Sequence, residues 1–194
     1  MTRGHALASE DAGKTRTRII KAAESVVRTK GVARMILAEV AETAGVSKGG
    51  LLYHFPSKDA LIKGMLSYAI EVFESAAERH CAEDREPGAW LRGYIMATFA
   101  EPGTETHEES LSWAAIIASA ANNPSLLAPF QDALSKWTER LASDGTDPVA
   151  AQVIRLAVDG LWFQEAMGLR PLAEPQRSEF VARLIAWSRT IASA

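Results

Sequence analysis

The chain has 194 residues, of which 47% are hydrophobic and 23% charged, and a formal net charge of −3, enough for one large domain or a small one joined to a medium one. Its single cysteine, Cys81, excludes an internal disulfide framework and a cysteine-based zinc cluster, and no apolar run approaches the roughly 18–20 residues that span a bilayer. The charge is uneven: residues 1–60 carry ten Lys/Arg against six Asp/Glu, and the remainder eleven against eighteen. A basic head on an acidic body suits a protein of which one end meets phosphates.

Residues 1–13 are small and polar, lack the apolar stretch of a secretory signal, and are expected to form a disordered arm; a cytoplasmic location follows as the default. From Thr15 the spacing of Ile19, Ile20, Ala23, Val26 and Val27 marks one helical face, stopped at Lys30-Gly31. A short helix over Leu37–Ala44 turns Leu37, Val40, Ala41 and Ala44 inward, and Gly45 breaks it. Ser47 is placed to cap a third helix running to about Phe55, although the Gly49-Gly50 pair weakens it by roughly 1 kcal/mol per glycine. Ser57 caps a long fourth helix with Leu61, Met65, Tyr68, Val72 and Phe73 on one side, fading near Cys81–Glu86. Further helices are predicted over Ala89–Ala100, Glu105–Ala121, Ser125–Ala142, Pro148–Gly168 and Pro175–Ala192. No stretch alternates with period two, so the fold class is all-α.

A short helix, a glycine corner and a capped helix form the helix-turn-helix pattern. Ala41 is small enough for the two helices to cross closely, Gly45 accepts a positive φ, and Val46 fills the space between them. Lys48, Gly49 and Gly50 then lie near the N-terminal end of the third helix, where base edges and phosphates are reached.

The run AEVAETAGVSKGGLLYHFPSKDAL, Ala38–Leu61, resembles the DNA-binding signature of the TetR/AcrR family of bacterial regulators. The resemblance covers roughly residues 15–65; beyond them only helix order and length agree. GLLYHFPSKDALIKGM and DGLWF resemble the multidrug-binding repressors of that family. It implies an N-terminal three-helix DNA-binding domain at 14–60 and a helical ligand-binding and dimerisation domain at 61–194. It also implies DNA contacts from Ser47, Lys48, Gly49, Gly50, Tyr53 and His54 on the recognition helix and from Lys58 at the next helix start. Lys48 would meet a phosphate or guanine, the glycines would allow close backbone approach, and Tyr53, His54 and Lys58 would bond phosphates. The chain departs from the family at Leu52, where many members have tyrosine, at Ile36-Leu37, where they open the second helix with Thr or Ser, and at Ala38, where a basic side chain is common. Arg34, with Lys14, Arg16 and Arg18, is a candidate to compensate, although a solvated face is the better reading of the last three. For Tyr53, packing between helices is as good a reading as a DNA contact, whereas Leu51 and Phe55 are core.

All five tryptophans follow residue 89. Trp90, Tyr94 and Phe99 share one helix, Trp113 and Ile117 the next, Phe130 and Trp137 another, and Trp162 and Phe163 the last of the set. Each side chain taken alone reads as core, yet an aromatic-rich helix bundle is a natural place for an apolar cavity, and the family implies one. Asp159 and Glu165 flank Trp162-Phe163, so an aromatic cation would suit the wall, although a salt-bridged Asp159 is the plainer reading. Glu105, His107, Glu108 and Glu109 read as an acidic helix start; neither a metal nor a cofactor is expected. Ile154, Val158 and Leu161 on one late helix, and Phe180, Leu184, Ile185, Trp187 and Ile191 on the next, form the faces that in the family build a homodimer.

The resulting expectation is a homodimeric transcriptional regulator, a repressor released from a palindromic double-stranded operator by a small apolar or aromatic cationic inducer, with no membrane partner. A nucleoid scaffold needs more phosphate contacts than this mild head offers. An enzyme is disfavoured because no nucleotide-binding glycine loop, paired metal-ligand motif or nucleophile setting is present.

Overall fold

The computed structural model describes residues 3–100, 104, 113, 116–117 and 123–192, and for residues 3–10 the backbone alone. Its helices are α1 (Arg3–Lys30), α2 (Leu37–Thr43), α3 (Lys48–His54), α4 (Lys58–Ala82) and α5 (Ala89–Thr98). A 3-10 turn at Pro124–Leu127 leads into α6 (Ala128–Ala142), followed by α7 (Pro148–Ala166) and α8 (Gln176–Thr190). Trp113, Ile116 and Ile117 are helical; the rest of the predicted helix at Glu105–Ala121, with its acidic start, lies outside the described residues. Among the described residues the one extended pairing is an isolated antiparallel bridge between Thr146 and Ala192, and no helix is long and apolar enough to cross a membrane.

The first helix begins at Arg3, so from residue 3 onward the backbone of the segment expected as an arm is helical. Ala6, Leu7, Ala8 and Glu10 are good helix formers, and their propensities extend a helix whose tertiary anchor lies further on.

The chain divides into two compact units, Met1–Tyr68 with Ala115–Pro129, and Ala69–Ala114 with Phe130–Ala194. In the first, α2 packs on α1 and on α3, and the core takes Ile19, Ile20, Ala23, Val26 and Val27 of α1 with Val40, Ala41, Leu51, Phe55, Leu61 and Met65. The predicted apolar face of α1 is therefore the buried one. Arg16 lies over the Phe55 ring at 5.2 Å and Lys21 over Tyr68 at 4.8 Å, so these two cations cover aromatic edges of the core. Asn123 Nδ2 donates to Asp59 Oδ2 at 3.0 Å, which holds the distant segment to the start of α4.

In the second unit α5 packs against α7 and α8. Its approach to α4 is set by Gly93, where a Cβ would meet the Ala77 carbonyl at 2.5 Å and Cys81 Sγ at 2.8 Å; any side chain there would force the helices apart. The N-terminus of α5 is tied down by carboxylates. Asp144 accepts from Trp90 N (3.2 Å) and Leu91 N (2.9 Å), matching two of the donors that a helix start leaves open. Arg92 is only 3% exposed. Its Nε and Nη2 donate to Asp84 at 2.5 and 2.9 Å, and Nη1 and Nη2 to the carbonyls of Pro87 (2.9 Å) and Glu86 (3.1 Å). A buried guanidinium is tolerated because four acceptors surround it.

α7 is apolar on two faces. Ala151, Ile154, Val158 and Leu161 are buried within the chain, whereas Val149, Val153, Leu156, Phe163 and Met167 are exposed. The exposed set, with Gly160, runs at alternating spacings of four and three residues, which keeps it on one side of the helix.

The Arg92 guanidinium holds the Asp84 carboxyl down to about 2 from an ordinary 3.8. A depressed folded-state value supplies stability that is present above the ordinary value and is lost as pH falls through the folded one. Thermal melts should therefore show a destabilisation between about pH 4 and pH 2 that Asp84→Asn flattens. At neutral pH, Arg92→Met should cost about 1–3 kcal/mol, because the Pro87 and Glu86 carbonyls lose the donors that Arg92 supplies.

Candidate nucleic-acid interface and interior aromatic site

The corner between α2 and α3 is built as its residues require. Gly45 has φ +63°, its N–H bonds Glu42 O at 3.0 Å, and Val46 N–H bonds Ala41 O at 3.0 Å. Ser47 is the extended N-cap of α3, and its Oγ accepts from Gly50 N at 3.0 Å. Ser57 repeats the device before α4, accepting from Ala60 N at 3.0 Å.

With α3 so oriented, Leu51 and Phe55 face the core, while Ser47, Lys48 and Gly49 are exposed. Tyr53 is 84% exposed, which decides between its two sequence readings: the ring does not pack between helices. It meets His54 edge-on at 5.2 Å, and His54 is half-buried. Arg34 is exposed in the loop before α2. Lys58 is half-buried and donates from Nζ to the Ala33 carbonyl at 2.9 Å, clasping that loop to α4; an ammonium has further donors to offer. Ile36, 59% exposed, occupies the N-cap position of α2 and makes no side-chain cap, as an aliphatic residue must.

A Cβ on Gly49 would have only Ser47 Oγ nearby, at 3.9 Å. The fold therefore does not demand glycine at this point, and the residue lowers helix propensity without a packing return. Gly50 is tighter, with Ser47 Oγ at 3.3 Å from its Cβ position.

Of the nine residues expected to line a pocket, six meet in the second unit, with Phe73 of α4 added. Phe73 contacts Tyr94 (5.1 Å), Trp137 (5.1 Å) and Trp113 (6.2 Å). Trp113 stands against Phe130 (5.4 Å) and Trp162 (6.2 Å), and parallel to Trp137 within 7° at 6.4 Å. Trp90 joins through Tyr94 at 5.5 Å. The remaining three have no ring contact with this group among the described residues. Phe99 lies beneath the Arg177 guanidinium at 5.3 Å, Phe163 is on the exposed face of α7, and Ile117 belongs to the first unit.

Four of the polar side chains at or near the cluster, Tyr94, Asp159, Trp137 and Glu165, are engaged in pairs. Tyr94 OH donates to Asp159 Oδ1 at 2.6 Å, and Arg155 Nη1 donates to Asp159 Oδ2 at 2.6 Å. Burial first, then the Asp159 carboxylate, pushes the Tyr94 hydroxyl well above its usual value, so it stays protonated and donating. Trp137 Nε1 donates to Glu74 Oε1 at 2.8 Å, and Arg177 holds Glu165 through two bonds of 2.6 and 3.1 Å. Phe73 and Glu74 escaped the sequence reading because α4 looked like core alone; the signal was an aromatic and a carboxylate side by side on that helix.

The faces proposed for dimerisation also need correction. Ile154, Val158 and Leu161 are buried in their own chain, as is Leu184; they pack the unit internally and have nothing left to present. Trp187 is exposed and Phe180, Ile185 and Ile191 are half-buried.

A solvent-facing capped helix behind a glycine corner, joined to a helical body with an aromatic interior, is the architecture of a helix-turn-helix regulator with a separate effector domain. Residues 19–65 match the tetR family of bacterial regulatory proteins, and residues 88–189 the tetracyclin repressor-like C-terminal domain. The chain belongs to the TetR family, a family of regulators rather than enzymes. It is 37% identical over 93 residues to the HTH-type transcriptional regulator TtgR of Pseudomonas putida, a match covering 47% of this chain and 44% of TtgR; the chain thus spans less than half the length of that relative. It is similar in structure to the multidrug binding protein EbrR complexed with ethidium (TM-score 0.66, 28% identity, 88% of this chain and 98% of that one). A transcriptional regulator from Rhodococcus sp. Rha1 shares the fold (TM-score 0.69, 23% identity, 91% and 95% covered).

Because the space at Gly49 is open, Gly49→Ala should raise the melting temperature of the first unit, by an amount equivalent to about 0.5–1 kcal/mol. Ser47→Ala should lower it by about 1 kcal/mol through loss of the cap. Both shifts are read by thermal denaturation.

Proposed function

We propose that this protein is a homodimeric repressor that binds a palindromic operator through α3 and is released by a small apolar or aromatic ligand, aromatic cations included, taken up by the ring cluster. The observation that carries the reading is the exposure of Lys48 and Tyr53 on a helix whose N-terminus is aimed outward by Gly45 and Ser47. Lys48 contacts a guanine or phosphate, and Tyr53, His54 and Lys58 contact phosphates, with Arg34 at the flank. Gly49 and Gly50 stay bare so that the backbone of the helix start approaches the groove. The open space at Gly49 supports this, since the fold alone would gain from a side chain there.

The exposed stripe Val149–Val153–Leu156–Phe163–Met167 supports a second copy as the partner. An apolar seam at coiled-coil spacing on an otherwise acidic body gains stability when its two-fold mate covers it. Two-fold symmetry then spaces the recognition helices by about one DNA turn, ~34 Å, and requires a palindromic site. Ligand entry shifts the population toward a state in which α4 holds the heads at another separation, and the affinity for operator falls by the ligand's preference for that state.

Retardation assays with the palindrome nearest the gene test the DNA face. Lys48→Ala and Tyr53→Ala should each weaken binding about 10- to 100-fold and leave the oligomeric state intact, and Gly49→Ala should weaken it while stabilising the fold; undiminished binding by the Lys48/Tyr53 double variant would sink the assignment. Leu156→Glu with Phe163→Glu should convert the dimer to a monomer in light scattering and abolish operator binding at the same protein concentration.

A further inference from the structure

The ring cluster does not treat its polar atoms alike. Tyr94 OH and Trp137 Nε1 each have a carboxylate to donate to. Trp113 Nε1 and Trp90 Nε1 are buried and have no acceptor among the described residues. The two indoles are themselves buried side chains, so neither donor is turned to solvent. A buried N–H without an acceptor is held at a free-energy cost comparable to a lost hydrogen bond, and native interiors keep few of them. Trp90 stands at the edge of the group, between Tyr94 and the Arg140 guanidinium at 5.0 Å. Trp113 stands within it, with Phe73, Phe130, Trp137 and Trp162 around it.

The carboxylates present the opposite picture. Asp159 is matched by both Tyr94 and Arg155, Glu165 by Arg177 through two bonds, and Glu74 accepts from Trp137. An entering cation would find π faces but would compete with an arginine for Asp159 or Glu165, and at Glu74 with the Trp137 N–H that the carboxylate already accepts from. An entering carbonyl or phenolic oxygen would find a donor that nothing described here satisfies.

We infer that the cluster is built for a flat aromatic ligand, uncharged, carrying a hydrogen-bond acceptor oxygen that Trp113 Nε1 meets. The inference rests on the ring cluster being the ligand site, and narrows the ligand from apolar or cationic aromatics in general to acceptor-bearing neutral ones. Trp113 is the specificity-determining residue: its ring supplies area to any aromatic guest, and its N–H discriminates among them. A site with a donor waiting for an acceptor disfavours the isostere that lacks one, because the donor then stays unpaired.

Three tricyclic probes of similar size separate the possibilities, with dissociation constants read from tryptophan quenching of the full-length protein. 9-Fluorenone carries one acceptor oxygen, fluorene carries none, and 9-aminoacridine is a cation. The expected result is that fluorenone binds about tenfold more tightly than fluorene and more tightly than 9-aminoacridine. In Trp113→Phe, which keeps a ring and removes the donor, the fluorenone preference over fluorene should collapse towards unity with fluorene binding retained; Trp90→Phe, at the edge, should leave most of the preference. Equal affinity for fluorenone and fluorene in the unaltered protein overturns the donor assignment while leaving the ring cluster as the ligand site. Tighter binding of 9-aminoacridine overturns it in favour of a cation. Failure of all three to quench removes the ring-cluster reading and this inference with it. The first comparison needs no variant, so a misfolded Trp113→Phe would not shield the proposal.

Discussion

Gly45 and Ser47 together decide which face of α3 meets the core. The positive φ of Gly45 turns the chain sharply after α2, and the Ser47 side chain bonds Gly50 N–H so that the helix starts at Lys48 without slack. Seven residues make less than two turns, too short to be stable alone. The cap and the burial of Leu51 and Phe55 are what hold it. Once those two residues are inside, the helical period turns Gly49 and Tyr53 to the opposite face, whereas Lys48 is exposed as the first residue of the helix. The loop before α2 is held by a different device, the Lys58 ammonium on the Ala33 carbonyl, so both sides of the outward face are anchored.

The second unit is organised by charge pairing around the start of α5. Asp144 supplies the cap that Gly88 cannot, and Arg92 draws Asp84 and two loop carbonyls onto itself. Both carboxylates lie outside α5, so each bond restrains a loop against a helix rather than a helix against itself. The rigidity matters because α5 presents Trp90 and Tyr94 to the ring cluster, and a helix free to slide would not hold ring contacts at 5–6 Å. Gly93 contributes on the opposite side by letting α4 come within backbone contact.

α7 illustrates how one helix serves two packing problems. Its inner face of Ala151, Ile154, Val158 and Leu161 completes the core, and an outer face of equal regularity remains uncovered. Charged neighbours on the inner half are matched within the chain, Arg155 to Asp159 and Glu165 to Arg177, so neither side carries unpaired charge at its centre.

Much of the head was legible in the residues themselves. The glycine corner, the serine caps at Ser47 and Ser57, and the buried faces of α1 and α3 are short-range features, determined by φ preferences, capping chemistry and periodicity over a few turns. The aromatic character of the body was legible too, and six of its nine candidate residues do come together. Only the tertiary structure decided the rest. Periodicity marks Ile154 and Leu156 as apolar alike, but which face of α7 is covered depends on where α5 and α8 lie, and the face that periodicity offers for dimerisation is the inner one. The grouping of Ala115–Pro129 with the first unit, the recruitment of Phe73 and the solvent-facing ring of Tyr53 depend on contacts between residues far apart in the chain. The helical backbone from residue 3 onward also differs from the expected arm, because Ala6, Leu7, Ala8 and Glu10 favour a helix whose anchor lies further along the chain. Local sequence dictates the conformation of a turn or a helix start; burial is a property of pairs of elements, and a single chain read in order does not state which pairs will form.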